Sequence, residues 1–292
     1  MKGEEHLWGV LNDKLDTLRA TNQMVEAIRV GQSALEIAKR SFDDADIRLA
    51  QSYEKVGLLH EQNGDRSGAK AHLVNAHRIL TRLQPPDGPA VFRSSRRLGQ
   101  LCNELGHTEE AIDFYEEAVA AASQVADLPF SELGSLLNNA ALLCRKTGRG
   151  KNAEPYYQRA LEIYETQLGP EHPDVASVLN NLGVFYTNEK RFTEAEQIHL
   201  RALAIREKAF PSNHPDIAQS KCNLAVVYHS RGEYDRASDL YRASLQTWED
   251  AMDKPPEEYE VVAANYADLL RALGKARKAH ALETRARKKR RG

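Results

Sequence analysis

The chain has 292 residues, 28% of them charged, with a formal net charge of −2 and three cysteines. No apolar run reaches membrane-spanning length, and Met1 to Leu11 has neither the basic start nor the apolar stretch of a signal peptide. The near-zero charge argues against a general polyanion binder, and the odd cysteine count predicts free thiols in a reducing, cytoplasmic setting.

In chain order the sequence is a succession of similar segments. Alanine recurs every 42 residues, at Ala27, Ala69, Ala111, Ala153, Ala195, Ala237 and Ala279. Seven residues later a second column reads Ala34, Ala76, Ala118, Ala160, Ala202, Ser244 and Ala286. Units of this length bury a core only by stacking on one another. The first, about residues 4–42, has Leu15 where later units carry Gly57, Gly99, Ala141, Gly183, Ala225 and Ala267. The following units run roughly 43–84, 85–126, 127–168, 169–210, 211–252 and 253–287, with a basic tail at 288–292.

Each unit reads as two helices. In the fifth, Leu179, Leu182, Gly183 and Tyr186 fall at i, i+3, i+4 and i+7, a buried helical stripe. A tight turn follows, marked elsewhere by Gly64, Gly106, Gly148, Gly232 and Gly274 and here by Lys190, with Asn22 in the first unit. The second helix sets Ala195 and Ala202 on one face, beside Ile198 and Leu203. Small residues on both helices predict a close antiparallel hairpin with Ala195 facing Gly183. Prolines recur between hairpins, and in His172-Pro173-Asp174 and His214-Pro215-Asp216 the Pro suits a first helical turn and the Asp its positive dipole end. The fold class is an all-α solenoid of about seven hairpins, forming one domain over 4–287.

A small residue, a twelve-residue gap, Ala, a seven-residue gap and Ala is the spacing of the tetratricopeptide repeat, lengthened from the usual ~34 residues. Gly169-Pro170-Glu171-His172-Pro173-Asp174, continuing through Asn180-Asn181-Leu182-Gly183 to Ala202-Leu203-Ala204-Ile205, resembles the long repeat of kinesin light chains. The resemblance covers about residues 4–287, is strongest in the fourth to sixth copies, and implies a right-handed superhelical stack. It does not extend to the light chain's heptad coiled coil, for which residues 1–20 offer no room.

The first helix of each hairpin carries the candidate binding face. Two residues past a buried position is about 200° around a helix, so the column Asp13, Lys55, Arg97, Asn139, Asn181, Asn223 and Asn265 points off the core. Asn is a mediocre helix former, yet its amide can pair with the N–H and C=O of an extended peptide. The resemblance implies a concave groove in which such asparagines contact peptide backbone. The alternative is a ladder that bonds neighbouring helices and sets curvature. Leu58, Leu142, Val184 and Val226 share this face and either receive a partner side chain or pack on the next repeat. Arg93, Arg96, Arg97, Arg145 and Lys146 make one stretch basic, opposed by Glu104. Asn138, Asn180, Asn181 and Asn188 line a neutral stretch beside it, so the pair suits an acidic peptide.

No other motif carries chemistry. The histidines lack ligand or catalytic spacing, Lys146-Thr147-Gly148-Arg149-Gly150 is no phosphate loop, and no cofactor, metal or small-molecule substrate is indicated. Cys102 and Cys144 share a column but lie too far apart for a disulfide if repeats stack at about 10 Å. The basic end from Arg285 to Arg291 suits a polar cap more than nucleic acid, since no aromatic residues are interleaved with it. The sequence therefore reads as a non-catalytic scaffold holding a peptide of an unidentified partner protein. The alternative is a self-associating assembly scaffold.

Overall fold

The computed structural model describes the backbone of residues 2–148 and 150–291, and the side chains of 3–148 and 152–290. Fourteen α-helices and one short 3₁₀ turn account for its regular structure, with no strand among the described residues. The chain divides into two compact units, residues 1–147 and 148–292, so the fourth repeat gives one helix to each.

In the first unit α1 (Lys2–Ala20) pairs with α2 (Met24–Ser41), α3 (Ile47–Gln62) with α4 (Arg66–Leu80), and α5 (Gly88–Glu104) with α6 (Thr108–Ala121), while α7 (Phe130–Lys146) packs on α6. In the second unit α8 (Gly150–Leu168) packs on α9 (Pro173–Asn188), which pairs with α10 (Phe192–Ala209). Two further pairs follow, α11 (Pro215–Ser230) with α12 (Tyr234–Ala251) and α13 (Glu257–Ala272) with α14 (Ala276–Arg291). In both units the second helix of one pair packs on the first helix of the next, as in a solenoid.

The alanine columns are where the helices meet. All seven alanines from Ala27 to Ala279 in the first column are fully buried, as is Ser244 in the second, whose hydroxyl donates to the Ala218 carbonyl at 2.7 Å. The small column also meets a side chain that the spacing does not name. A Cβ on Gly183 would lie 2.6 Å from the His199 ring, and one on Gly99 2.6 Å from the Tyr115 ring. At the equivalent Gly57 a Cβ would meet Leu73 at 2.8 Å and the Ala69 backbone at 3.3 Å, so the alanine column lies against the small column there, with a longer side chain over it. Helical side chains lean toward the helix N-terminus, so the long side chain one turn further on covers that spot. Phe92, buried to 2% exposure, is among the rings that fill the remaining space, each worth on the order of 2–3 kcal/mol by burial.

Backbone chemistry sets the hairpin ends. Gly64, Gly106, Gly148, Gly232 and Gly274 have φ between 73° and 82°, and the two exceptions, Asn22 and Lys190, adopt the same left-handed conformation at 56° and 60°. At Lys190 the N–H of Arg191 reaches the Tyr186 carbonyl and that of Lys190 the Thr187 carbonyl, a Schellman closure. At the starts of α9 and α11 the prolines occupy the first turn as expected. The side-chain caps there are the histidines: Nδ1 of His172 and of His214 accepts from the Asp174 and Asp216 N–H at 3.2 Å.

Polar clasps tie consecutive helices in the second unit. Glu154 accepts from the Tyr186 hydroxyl at 2.9 Å and from Arg191 at 2.8 Å, with the guanidinium over the tyrosine ring. Forty-two residues on, Glu196 accepts from the Tyr228 hydroxyl at 2.7 Å and from Arg231, with Arg236 over that ring. The Tyr228 hydrogen bond and these guanidiniums hold the Glu196 carboxyl below the usual range.

Candidate partner-binding face

The predicted face lies on the first helices, and its column is off the core throughout: Asn139 and Arg97 are exposed, and Lys55, Asn181, Asn223 and Asn265 are half-buried. What its residues touch differs between the units.

In the first unit the basic residues meet acids on neighbouring first helices. Lys55 on α3 pairs with Asp16 on α1 at 2.9 Å, Arg97 on α5 with Glu61 on α3 at 2.9 Å, and Arg96 on α5 with Glu132 on α7 at 3.5 Å. Glu104 is taken by Arg66 at 2.9 Å. Two of the five cations in the basic stretch, Arg96 and Arg97, are thus paired with acids on neighbouring first helices. Arg93 and Lys146 are exposed, and Arg145 is half-buried with its Nε lacking a hydrogen-bond partner. Arg93 sits near the start of α5 and Lys146 ends α7. Moved back one repeat, Lys146 corresponds to Glu104, eleven residues beyond Arg93, or about 16 Å along a helix axis.

In the second unit the column is made of amides that bond between helices. Asn223 on α11 donates to the Asn180 Oδ1 on α9 at 2.7 Å, and its own Oδ1 accepts from Gln219 at 2.9 Å. Asn265 on α13 donates to the Cys222 sulfur at 4.0 Å. The ladder therefore has the helix-bonding role that the sequence left open, and each bonded amide still has donor or acceptor capacity to spare. Asn138 and Asn181 are half-buried, and Asn188 is exposed at the end of α9.

A recess of about 180 Å³ opens between α9 and α11, lined by Val184, Thr187, Asn188, Asn223 and Val226, with His199 of α10. Of the apolar residues predicted on this face, it gathers Val184 and Val226. His199 was not foreseen. It stands in a column with Tyr115, Tyr157 and Tyr241, and that break in an aromatic series was its only sequence signal. Its ring is 1% exposed, and neither nitrogen has a hydrogen-bond partner. Burial pushes its pKa down to about 4; the Gly183 backbone opposes the shift without meeting hydrogen-bond geometry, and the Arg206 charge adds to it.

The model of the tetratricopeptide repeat family matches residues 62–124, 132–187 and 174–250, more than half of the sequence. The chain belongs to the tetratricopeptide repeat family. No curated protein matches it. Among solved structures, this tetratricopeptide repeat protein is 26% identical to BtubC (BKLC) from P. vanneervenii, with a TM-score of 0.54 over 77% of this chain and 90% of that one. A tetratricopeptide repeat protein from Parabacteroides merdae is 21% identical, with a TM-score of 0.58 over 80% of this chain and 77% of that one. YrrB, described as a TPR protein with an unusual peptide-binding site, is 18% identical, with a TM-score of 0.51 over 74% and 92%.

Elsewhere in the repeats one cluster has the connectivity of a hydrolase triad. His77 Nδ1 lies 2.8 Å from the Ser94 hydroxyl and its Nε2 2.9 Å from Glu117, which also accepts from Ser95 at 3.0 Å. Ser94 sits inside α5, where neighbouring backbone N–H groups are committed to the helix and make no oxyanion hole. Its hydroxyl also donates to the Val91 carbonyl at 3.1 Å. The cluster joins α4, α5 and α6 as a buried polar tie. The basic tail is the end of α14: Arg285 and Lys289 pair with Glu249 and Arg290 with Glu260, while Arg291 and Gly292 lie outside the described side chains. The three cysteines are buried free thiols, and no helix among the described residues is long and apolar enough to cross a membrane.

Proposed function

We propose that the chain is a non-catalytic scaffold that holds an extended segment of a partner protein against the first helices of its second unit, α9, α11 and α13. The observation that carries this reading is the uncharged recess set into an amide-lined face. Val184 and Val226 offer apolar walls, and Asn188, Asn223 and Asn265 offer backbone-reading groups beside them. Such amides pair with peptide backbone whatever its sequence, and pockets then add specificity. In the first unit the unpaired cations Arg93 and Lys146 would favour an acidic stretch of the partner, but they stand too far apart for one carboxylate to bridge. Buried free thiols support a reducing, cytoplasmic setting.

Selection of binders from a random twelve-residue peptide library tests the reading. Asn188→Ala, which removes an amide with no partner in the fold, should weaken selected peptides by about fivefold, one hydrogen bond's worth, and leave the circular dichroism unchanged. A library that yields no saturable binder, while the protein forms concentration-dependent oligomers, would replace this reading with self-assembly.

A further inference from the structure

The outer face of α1 carries apolar residues in columns that are buried later in the chain. Leu7 shares a column with Leu49, Val175 and Tyr259, and Val10 shares one with Leu136, Val178 and Val262, all buried. On α1 the same two positions are 47% and 48% exposed. What covers these columns in a later repeat is the second helix of the hairpin before it. Leu35, Ala38 and Phe42 of α2 form a cluster with Leu49, and Tyr241, Leu245 and Trp248 of α12 form one with Tyr259 and Val262. Leu7 and Val10, a turn apart, are thus a helix-packing seam without its helix.

The other end of that seam is polar. Lys14 and Thr17 are exposed where the second repeat has the fully buried Val56 and Leu59. Gly3, Leu7, Val10 and Lys14 follow one another at spacings of four, three and four, a single stripe along the helix. Two such stripes complement each other when they run antiparallel. With Leu7 level with Val10 of the other copy, Lys14 comes level with Gly3, which has no side chain to block it. Beside Gly3 stands the exposed Glu4, whose carboxylate accepts from the Ser41 hydroxyl at 3.3 Å and keeps capacity for a cation. On the flank of the stripe, the exposed His6 and Asp13 approach each other in the same way.

We propose that two copies of this chain pair through the outer faces of their α1 helices, antiparallel, with Leu7 on Val10 and Lys14 on Glu4 in both directions. The opposite end of the chain does not offer an equivalent seat. Tyr241, Leu245 and Trp248 on α12 become Glu283, Arg287 and Arg290 on α14, the polar outer face of a capping repeat. A parallel pairing would set Lys14 against Lys14. The antiparallel contact is self-complementary, so it closes at two copies. Its apolar centre is small, which makes the dimer a weak one. No residue of the peptide face on α9, α11 and α13 takes part.

Sedimentation of the intact chain at low salt, from about 1 to about 500 µM, covers the range in which weak complexes dissociate. The mass should rise toward twice that of the monomer and no further. Leu7→Asp, which places an unpaired carboxylate in the contact, should weaken pairing at least tenfold and leave the circular dichroism unchanged. Lys14→Glu and Glu4→Lys should each weaken it severalfold, and an equimolar mixture of the two should recover it, because each reversed charge then meets its opposite. A chain that stays monomeric throughout, or self-association that Leu7→Asp leaves unchanged, overturns the proposal. A mixture that recovers nothing overturns the antiparallel register. Asn188→Ala, which tests the peptide face, should leave the dimer as it is, so the two readings fail separately.

Discussion

The two halves of the chain place different chemistry in the same repeat positions. In the first unit the column off the core starts at Asp13 and ends on the exposed Asn139, and between them Lys55 and Arg97 each reach back to an acid on the preceding first helix. In the second unit the column is Asn181, Asn223 and Asn265, and the last two each reach back to a group forty-three residues earlier, Asn180 and Cys222. The tyrosines that clasp Glu154 and Glu196 are likewise replaced in the first unit by buried Cys102 and Cys144. The repeat thus fixes where adjacent helices must be joined but leaves open how. Exposed ion pairs join them weakly and cover the face with neutralised charge. Amide bonds and partly sheltered clasps leave a neutral face with unspent hydrogen-bonding capacity, and that is where the recess opens.

The largest expected difference between the halves is their response to acid. His199 has an ordinary pKa near 6.5 when unfolded and about 4 in the fold. Between those values the unfolded chain takes up a proton that the folded chain refuses. The His199 contribution is therefore complete above pH 6.5, falls as pH drops, and levels off below about 4, a loss of up to ~3 kcal/mol. His72 in the first unit and His229 in the second are also pushed down by burial and add smaller losses in the same direction. Replacing His199 with Tyr, the residue at positions 115, 157 and 241, should flatten the pH 6.5 to 4 profile of urea unfolding. An unchanged slope in that variant would mean the ring is not the neutral buried group described.

Next in size is the contrast between clasp and surface pair. Glu196→Ala removes a charge-assisted acceptor shared by Tyr228, Arg231 and Arg236, and should cost about 2 kcal/mol. Glu61→Ala removes an exposed partner of Arg97 and should cost less than about 1 kcal/mol. Hydrogen exchange should place the first loss in α10 and α11. Equal losses in the two variants would erase the energetic distinction between the units.

The repeat, its hairpins and its buried columns were legible because each rests on a residue type recurring at fixed spacing. The turn at Lys190 was legible too, since the glycines around it showed what conformation that position takes. Partners were less legible. The spacing sets Ala195 opposite Gly183 but does not reveal that the His199 ring, one turn further on, lies over that glycine. The charge on Arg96 and Arg97 was read from their own stretch, and the acids that neutralise it, Glu132 and Glu61, come from neighbouring repeats whose approach no linear count reveals. The Asn column stood out in the sequence, but its bond to the adjacent register at Asn180 depends on the stagger of α9 against α11.

The smallest effect asks whether the two column chemistries are interchangeable. Arg97→Asn gives this position the residue that Asn139 and the second unit carry in the same column. Its ion pair with Glu61 is exposed on both sides, with side chains 43% and 30% accessible, so breaking it should cost only a few tenths of a kcal/mol. Part of that should vanish in 1 M salt, where screening falls to about 3 Å. The substitution also frees Glu61 as an unpaired acid, so the first unit's face becomes more negative, and any binding of acidic peptides there should weaken while binding at the second unit is untouched. If Arg97→Asn instead destabilises the first unit by more than about 1 kcal/mol, the charged column is a structural requirement of that half. If peptide binding at the second unit changes with it, the two faces do not act separately.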